Sequence, residues 1–131
     1  MPTKKATTAS TDERVPAAGN RAANQRADAQ RNRERIVAAA RDLFACGGLG
    51  VSTNEIARSA GVGVATLFRR FPTRDDLLAA AFEDKMHAYA DAVDRALAEP
   101  DPWHGFCGFI ESACRLQADD RGFADVLTLT F

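Results

Sequence analysis

The sequence predicts an all-α fold, and two kinds of signal carry that prediction. Apolar side chains recur at three- and four-residue steps, as they do on one face of a helix. Capping residues, glycines and prolines separate these stretches where a helix would begin or end. The 131 residues, 46% of them hydrophobic, suffice for one compact domain or for a small domain with an unfinished neighbour. The first apolar stripe comprises Ile36, Val37, Ala40, Leu43 and Phe44.

A first helix is predicted over residues 33–46. Gly47 and Gly48 follow its apolar stripe, and glycine readily adopts the positive φ that ends a helix. Residues 1–31 are rich in Ala, Thr, Asn, Arg and Gln and nearly free of large apolar side chains, so we expect a disordered basic arm. Its arginines leave two interpretations open: a solvated tail, or an arm along a DNA backbone or in the minor groove.

Two shorter helices come next. Ser52 and Glu55 have the spacing of a capping box, in which each side chain accepts a hydrogen bond from the other residue's backbone N–H. This predicts a second helix over residues 53–60, ended by Gly61. A third helix over residues 64–71 then turns its apolar side chains inward. Two short helices joined by a glycine-containing turn are typical of a helix-turn-helix.

Three further helices are predicted after Pro72. Thr73 caps a fourth helix of about 26 residues, which ends near Glu99. A fifth helix starts at Asp101 and breaks around residues 119–122, and a sixth is interrupted by the end of the chain. Their apolar stripes comprise Leu78, Phe82, Met86, Tyr89, Val93 and Leu97, then Phe106, Phe109, Ile110, Ala113 and Cys114, then Phe123, Val126, Leu127 and Leu129.

The net charge of −1 conceals a split between the two halves of the chain. Residues 1–80 carry 13 Lys and Arg against 8 Asp and Glu, whereas residues 81–131 carry 4 against 10. This asymmetry indicates that the first half meets a polyanion. Arginine outnumbers lysine 14 to 3, and its planar guanidinium suits bidentate contacts to phosphate or guanine.

Neither a metal site nor an enzyme active site is indicated. Cys46, Cys107 and Cys114 form no C-x-x-C pair, so we expect buried small apolar residues, with a metal or redox role as the minor alternative. No Ser-His-Asp set, P-loop or dinucleotide fingerprint is present, and the sequence therefore predicts no catalysis and no cofactor. Without about 18 consecutive apolar residues or a signal peptide, we expect a cytoplasmic location.

A resemblance to a known family is carried by residues 33–82, which read RERIVAAARDLFACGGLGVSTNEIARSAGVGVATLFRRFPTRDDLLAAAF. The segment resembles the DNA-binding domain of the TetR/AcrR transcriptional regulators. The matching pieces are IVAAARDLF, a Gly-rich turn, S-T-x-E-I-A, A-G-V, T-L-F-x-x-F-P and R-x-x-L-L. The resemblance implies a helix-turn-helix domain over residues 32–80 and a partial helical ligand-binding and dimerisation domain over 81–131, linked by the long fourth helix.

Candidate DNA contacts lie first on the outer face of the third helix. A helix fits the major groove, and residues near its N-terminus reach the base edges. We expect apolar base contacts from the first two positions, a phosphate contact from Arg70, and either guanine or phosphate at Arg69. The outward positions are Val64, Ala65, Thr66, Phe68, Arg69 and Arg70.

The resemblance adds contacts at the starts of two other helices. It implies that Thr53 and Asn54 lie near phosphates and that Arg74 replaces a lysine that usually touches the DNA backbone. Phe68 stands where a tyrosine is common, so the phosphate bond of a tyrosine hydroxyl is impossible here. Gly63 replaces a frequent serine.

The resemblance also implies a mode of action: a repressor that binds a palindromic operator as a homodimer and is relieved by a small-molecule effector. Two recognition helices must reach half-sites about one helical turn apart. Three alternatives stay open for so short a chain. They are a truncated regulator with weak, non-specific DNA binding, a dimer formed through its fourth to sixth helices, and a small helical interaction protein.

Overall fold

Six α-helices and one 3₁₀ turn make up the structure, a computed structural model that describes residue 3 and residues 18–130. The all-α fold class is confirmed, and the second and third helices fall within one residue of their predicted ends. The elements are α1 (Ala18–Gly47), a 3₁₀ turn (Gly48–Gly50), α2 (Thr53–Ala60), α3 (Val64–Arg70), α4 (Arg74–Ala98), α5 (Pro102–Ala118) and α6 (Arg121–Thr130).

A small apolar core joins α1, α2 and α3. Gly61 ends α2 in the left-handed conformation, with a φ of 67°, and its N–H donates to the carbonyls of Ala57 and Arg58. This tight exit turns the chain at once into α3, which is the geometry of a helix-turn-helix. The buried side chains of this core are Ile36, Val37, Ala40, Phe44, Ile56, Ala57, Ala60, Leu67 and Phe71.

α1 begins at Ala18, well before the predicted start near residue 33. Residues 18–31 are therefore helical, and the prediction of a disordered arm is wrong for them; residues 1–2 and 4–17 of the predicted arm lie outside the described residues. Ala, Arg and Gln are strong helix formers, and extending an existing helix needs no new nucleus. An ion pair between Arg31 and Asp28, one turn apart, supports the extension.

Aromatic packing attaches α4 and α6 to α1. The ring centroids of Phe44 and Phe82 are 5.8 Å apart, and those of Phe82 and Phe123 are 6.0 Å apart. The buried carboxylate of Asp120 begins α6, because its Oδ1 accepts the N–H of Phe123 at 2.9 Å. Its Oδ2 lies 2.7 Å from Nζ of Lys85 in α4, so one side chain caps α6 and ties it to α4.

The stripes of α4, α5 and α6 are less buried than predicted. Gly105 of α5 approaches Ala96 in α4 closely, and Gly105 and Ala113 are the buried residues of α5, whereas several large side chains of the stripes stay exposed. The prediction that the cysteines are buried is also wrong: Cys46 and Cys114 are exposed and Cys107 is half-buried. The exposed stripe residues are Met86, Leu97, Phe106, Ile110, Cys114 and Leu129.

Candidate nucleic-acid interface

A complete capping box fixes the start of α2, as predicted. The Glu55 N–H donates to Oγ of Ser52 at 3.2 Å, and the Ser52 N–H donates to Oε2 of Glu55 at 3.0 Å. The bond from the Ser52 backbone N–H, followed by that from the Ser52 hydroxyl, lowers the pKa of Glu55, with a smaller contribution from the charge of Arg58. The box thus orients α2, on which α3 depends for its position.

We predict that the Glu55 cap makes stability depend on pH. A carboxyl whose pKa is lower in the folded state contributes stability above its ordinary pKa and loses it as the pH falls through the lowered value. The difference in urea midpoint between the wild type and Glu55→Gln should therefore shrink below about pH 4. An unchanged difference between pH 7 and pH 3 would contradict this role of the charge.

The outer face of α3 is open to solvent. Leu67 and the following Phe71 hold the helix to the core and are 1% and 3% exposed. On the opposite side, Val64 is 38% exposed and Phe68 is 49% exposed. Ala65, Arg69 and Arg70 are exposed as well, and Thr66 is half-buried. The fold therefore leaves all six predicted outward positions on one accessible surface, which we call the α3 face.

Hydrogen bonds within α3 order part of its polar side. Nε of Arg69 donates to the Ala65 carbonyl and Nη2 donates to Oγ1 of Thr66, each at 3.4 Å. Gly63 caps the helix without a side-chain hydrogen bond, in keeping with the loss of the usual serine. Arg70 extends from the last turn of α3. The side chain of Arg69 thus lies back along the helix, next to Thr66.

Two more predicted residues lie at the start of α2. Thr53 is half-buried and Asn54 is exposed, and both lie in the first turn of α2 directly after the Ser52 cap. The first backbone N–H groups of a helix lack intrahelical partners and favour anions such as phosphate. The two residues therefore have the accessibility that a phosphate contact needs, and their role stays a prediction.

Arg74 is turned towards the chain itself. Its Nη2 donates to the Val51 carbonyl at 2.7 Å and also to the Leu49 carbonyl, and its guanidinium carbon lies 5.6 Å from the ring centroid of Phe44. These contacts hold the start of α4 against the segment that precedes α2. The predicted contact between Arg74 and the DNA backbone stays a prediction, with part of the guanidinium already engaged.

Two positioning residues were not predicted from the sequence. The guanidinium carbon of Arg33 lies 5.3 Å from the ring centroid of Phe71, and Nη2 of Arg35 donates to the Gly61 carbonyl at 3.1 Å. They fasten α1 to the end of α3 and to the turn between α2 and α3. No local sequence signal identifies them, because each partner lies 26 or more residues away.

The excess positive charge of the helix-turn-helix half of the chain favours an anionic partner. Between residues 20 and 74 there are ten arginines and only four acidic residues, namely Asp28, Glu34, Asp42 and Glu55.

Over the described residues, no group of three His, Cys, Asp or Glu side chains is placed to hold a metal ion. In the same part of the chain, no helix has the length and apolar character needed to cross a membrane.

Comparisons with known proteins agree with this geometry. The family model for bacterial regulatory proteins, tetR family, matches residues 36–81. The crystal structure of the TetR transcription regulatory protein from Mycobacterium vanbaalenii is similar, with 42% sequence identity and a TM-score of 0.52. The similarity covers 79% of this chain and 62% of that one, so the chain spans less than two thirds of its relative's length. No curated protein matches the chain.

Proposed function

Because the chain belongs to the tetR family of bacterial regulatory proteins, we propose that it is a sequence-specific DNA-binding transcriptional regulator that inserts α3 into the major groove. The single observation that carries this proposal is the open α3 face. A seven-residue helix that buries only Leu67 of its own side chains contributes little to the core, yet it keeps two large apolar residues and two arginines exposed. A surface that combines exposed apolar side chains with arginines is better suited to contact with a nucleic acid than to exposure to water.

The contacts divide between reading bases and neutralising phosphates. We propose that the α3 face reaches base edges, that its Arg70 neutralises a phosphate, and that Thr53 and Asn54 donate hydrogen bonds to a phosphate at the start of α2. Arg69 has the chemistry for either guanine or phosphate. If one half-site contacts about four phosphates, log K should fall against log salt with a slope of about −3.6.

We further propose that the protein is a cytoplasmic repressor that binds a palindromic operator as a homodimer and is released by a small molecule. An apolar groove of about 440 Å³ between the end of α4 and α5 supports an effector site in the second half. Val93, Leu97, Phe106 and Phe109 are among its lining residues. Light scattering of the protein with and without DNA tests the dimer, and a monomer in both states would contradict it.

The proposal assigns no catalytic step to the protein, since regulators of this family are generally not enzymes.

Two of the alternatives that the sequence leaves open make different predictions about DNA. A helical interaction protein would bind no duplex, and a weak regulator would bind every duplex alike, in the non-specific range of roughly 10⁻⁴ to 10⁻⁶ M. Selection from random duplexes separates both from the proposal.

We predict that Arg70→Ala weakens binding to a selected duplex about tenfold, because a hydrogen-bonded phosphate contact is lost. The loss should be similar on all sequences, and the salt slope should become shallower by about 1. Fluorescence anisotropy at several salt concentrations measures both quantities.

Arg95→Ala is the matched control, because Arg95 is an exposed arginine on α4 and its replacement changes the net charge equally. If the two variants lose the same affinity, then charge alone matters and the proposed placement of α3 is wrong. Equal unfolding midpoints of both variants and the wild type are required for the comparison.

A further inference from the structure

The α3 face has an apolar side and a polar side. Val64 and Phe68 are four residues apart, so they stack on one flank of the helix with Ala65 beside them. Thr66, Arg69 and Arg70 occupy the other flank, and the bond between Arg69 and Thr66 keeps those two side chains together. The helix therefore presents two parallel strips of different chemistry to whatever it binds.

The apolar strip lies beside arginines on the α3 face, and this charge disfavours a purely apolar partner. Val64 is 38% exposed and Phe68 is 49% exposed, although burying them would be favourable. Arginines lie directly beside them on the same seven-residue helix, in the half of the chain that carries the excess positive charge. An occupant that suits both strips must combine anionic groups with small apolar groups at close spacing.

The major groove of DNA has that combination at thymine. Valine, alanine and phenylalanine side chains carry no donor or acceptor, so they cannot pair with the hydrogen-bonding edges of guanine, adenine or cytosine. The C5-methyl group of thymine is the apolar feature among the major-groove edges. Cα atoms four residues apart on a helix are separated by about 6 Å along its axis, whereas base pairs are about 3.4 Å apart. One strip can thus touch methyl groups on neighbouring or next-neighbouring base pairs.

We propose that the protein selects its half-site through thymine methyl groups, which are contacted by Val64, Ala65 and Phe68. This inference rests on the proposed function and adds the chemical feature of the operator that is read. Phe68, the largest side chain of the strip, then supplies an apolar contact to a methyl group. The polar strip supplies affinity, and the apolar strip supplies the preference for thymine.

Deoxyuridine tests this directly, because it removes only the methyl group and leaves base pairing unchanged. Duplexes with about 20 randomised base pairs, enough for two half-sites one turn apart, are first selected on the full chain. The selected duplexes are then remade with deoxyuridine in place of thymidine. We expect the dissociation constant to rise about fourfold for each contacted methyl group.

Two variants and a control assign the effect to the strip. In Val64→Ser and Phe68→Ser the penalty for deoxyuridine should fall, and in the double variant only the part contributed by Ala65 should remain. Leu129→Ser removes an apolar side chain that is 79% exposed on α6 and should keep the full penalty. All these side chains are exposed to a large degree, so unfolding midpoints should stay close to that of the wild type.

The outcomes separate the inference from the proposed function. Tight, selective binding with equal affinity for thymidine and deoxyuridine duplexes would overturn the inference and leave the proposed function standing. A full penalty in the double variant would show that the methyl groups are read elsewhere, which also overturns it. Failure of the selection to enrich any duplex would overturn the proposed function and the inference together.

Discussion

Asp120→Ala is expected to destabilise the protein by about 3 kcal/mol. The substitution removes the acceptor for the Phe123 N–H and leaves the ammonium of Lys85 without its carboxylate. The lost cap alone accounts for about 1 kcal/mol. The unpaired ammonium accounts for the rest, at the low end for a broken buried pair because Lys85 keeps part of its exposure and a bond to the Leu116 carbonyl at 3.3 Å.

Asp120→Asn divides that loss into its two parts. The asparagine oxygen can still accept the Phe123 N–H, so the cap is kept and only the ion pair with Lys85 is lost. We expect a loss of about 2 kcal/mol, measured by urea unfolding and followed by far-UV circular dichroism. If both variants unfold within about 0.5 kcal/mol of the wild type, Asp120 does not attach α6 in the way described.

Gly122→Ala is expected to cost about 3 kcal/mol, because no space exists for a methyl group where α6 crosses α1. A Cβ at this position would lie 2.8 Å from both the Cβ and the carbonyl oxygen of Phe44, and 2.9 Å from Cζ of Phe82. The oxygen belongs to the backbone of α1 and cannot rotate away. α6 must therefore shift outward, which loosens the stacked rings of Phe44 and Phe82 that it covers.

Gly108→Ala is the matched control for Gly122→Ala. Gly108 lies inside α5, and a Cβ there would meet no atom within 4 Å. Alanine should therefore stabilise this helix by about 0.5–1 kcal/mol, because it restricts the unfolded chain more than glycine does. Thermal unfolding should move the two variants in opposite directions, and a Gly122→Ala variant at least as stable as the wild type would show that the crossing at Gly122 is not tight.

The helix-turn-helix was predictable because its signals are local. The Ser52–Glu55 box and Gly61 determine both ends of α2 through hydrogen bonds between near neighbours. Leu67 and Phe71, four residues apart, determine the inward side of α3, and the outward side follows by exclusion. Nearly all of the candidate interface was therefore available before the fold was known.

The remaining features depend on contacts across long sequence distances. A lack of large apolar residues predicts disorder before residue 32, yet α1 covers Ala18–Gly47 because its first turns continue a helix anchored at Ile36. The exposure of Met86 and Ile110 depends on which helices pack beside them. Arg74 shows the same limit, since its carbonyl partners precede it by more than 20 residues. Periodicity shows that a face is apolar and cannot show what covers it.

The proposed function requires that the outer face of α3 meets duplex DNA. The most direct test follows backbone amide chemical shifts of the labelled chain as a selected duplex is added. The largest changes should cluster at residues 64–70 and in the first turn of α2, with little change along α5. Large changes at the exposed aromatic residues of α5, together with an unperturbed α3, would contradict the claim.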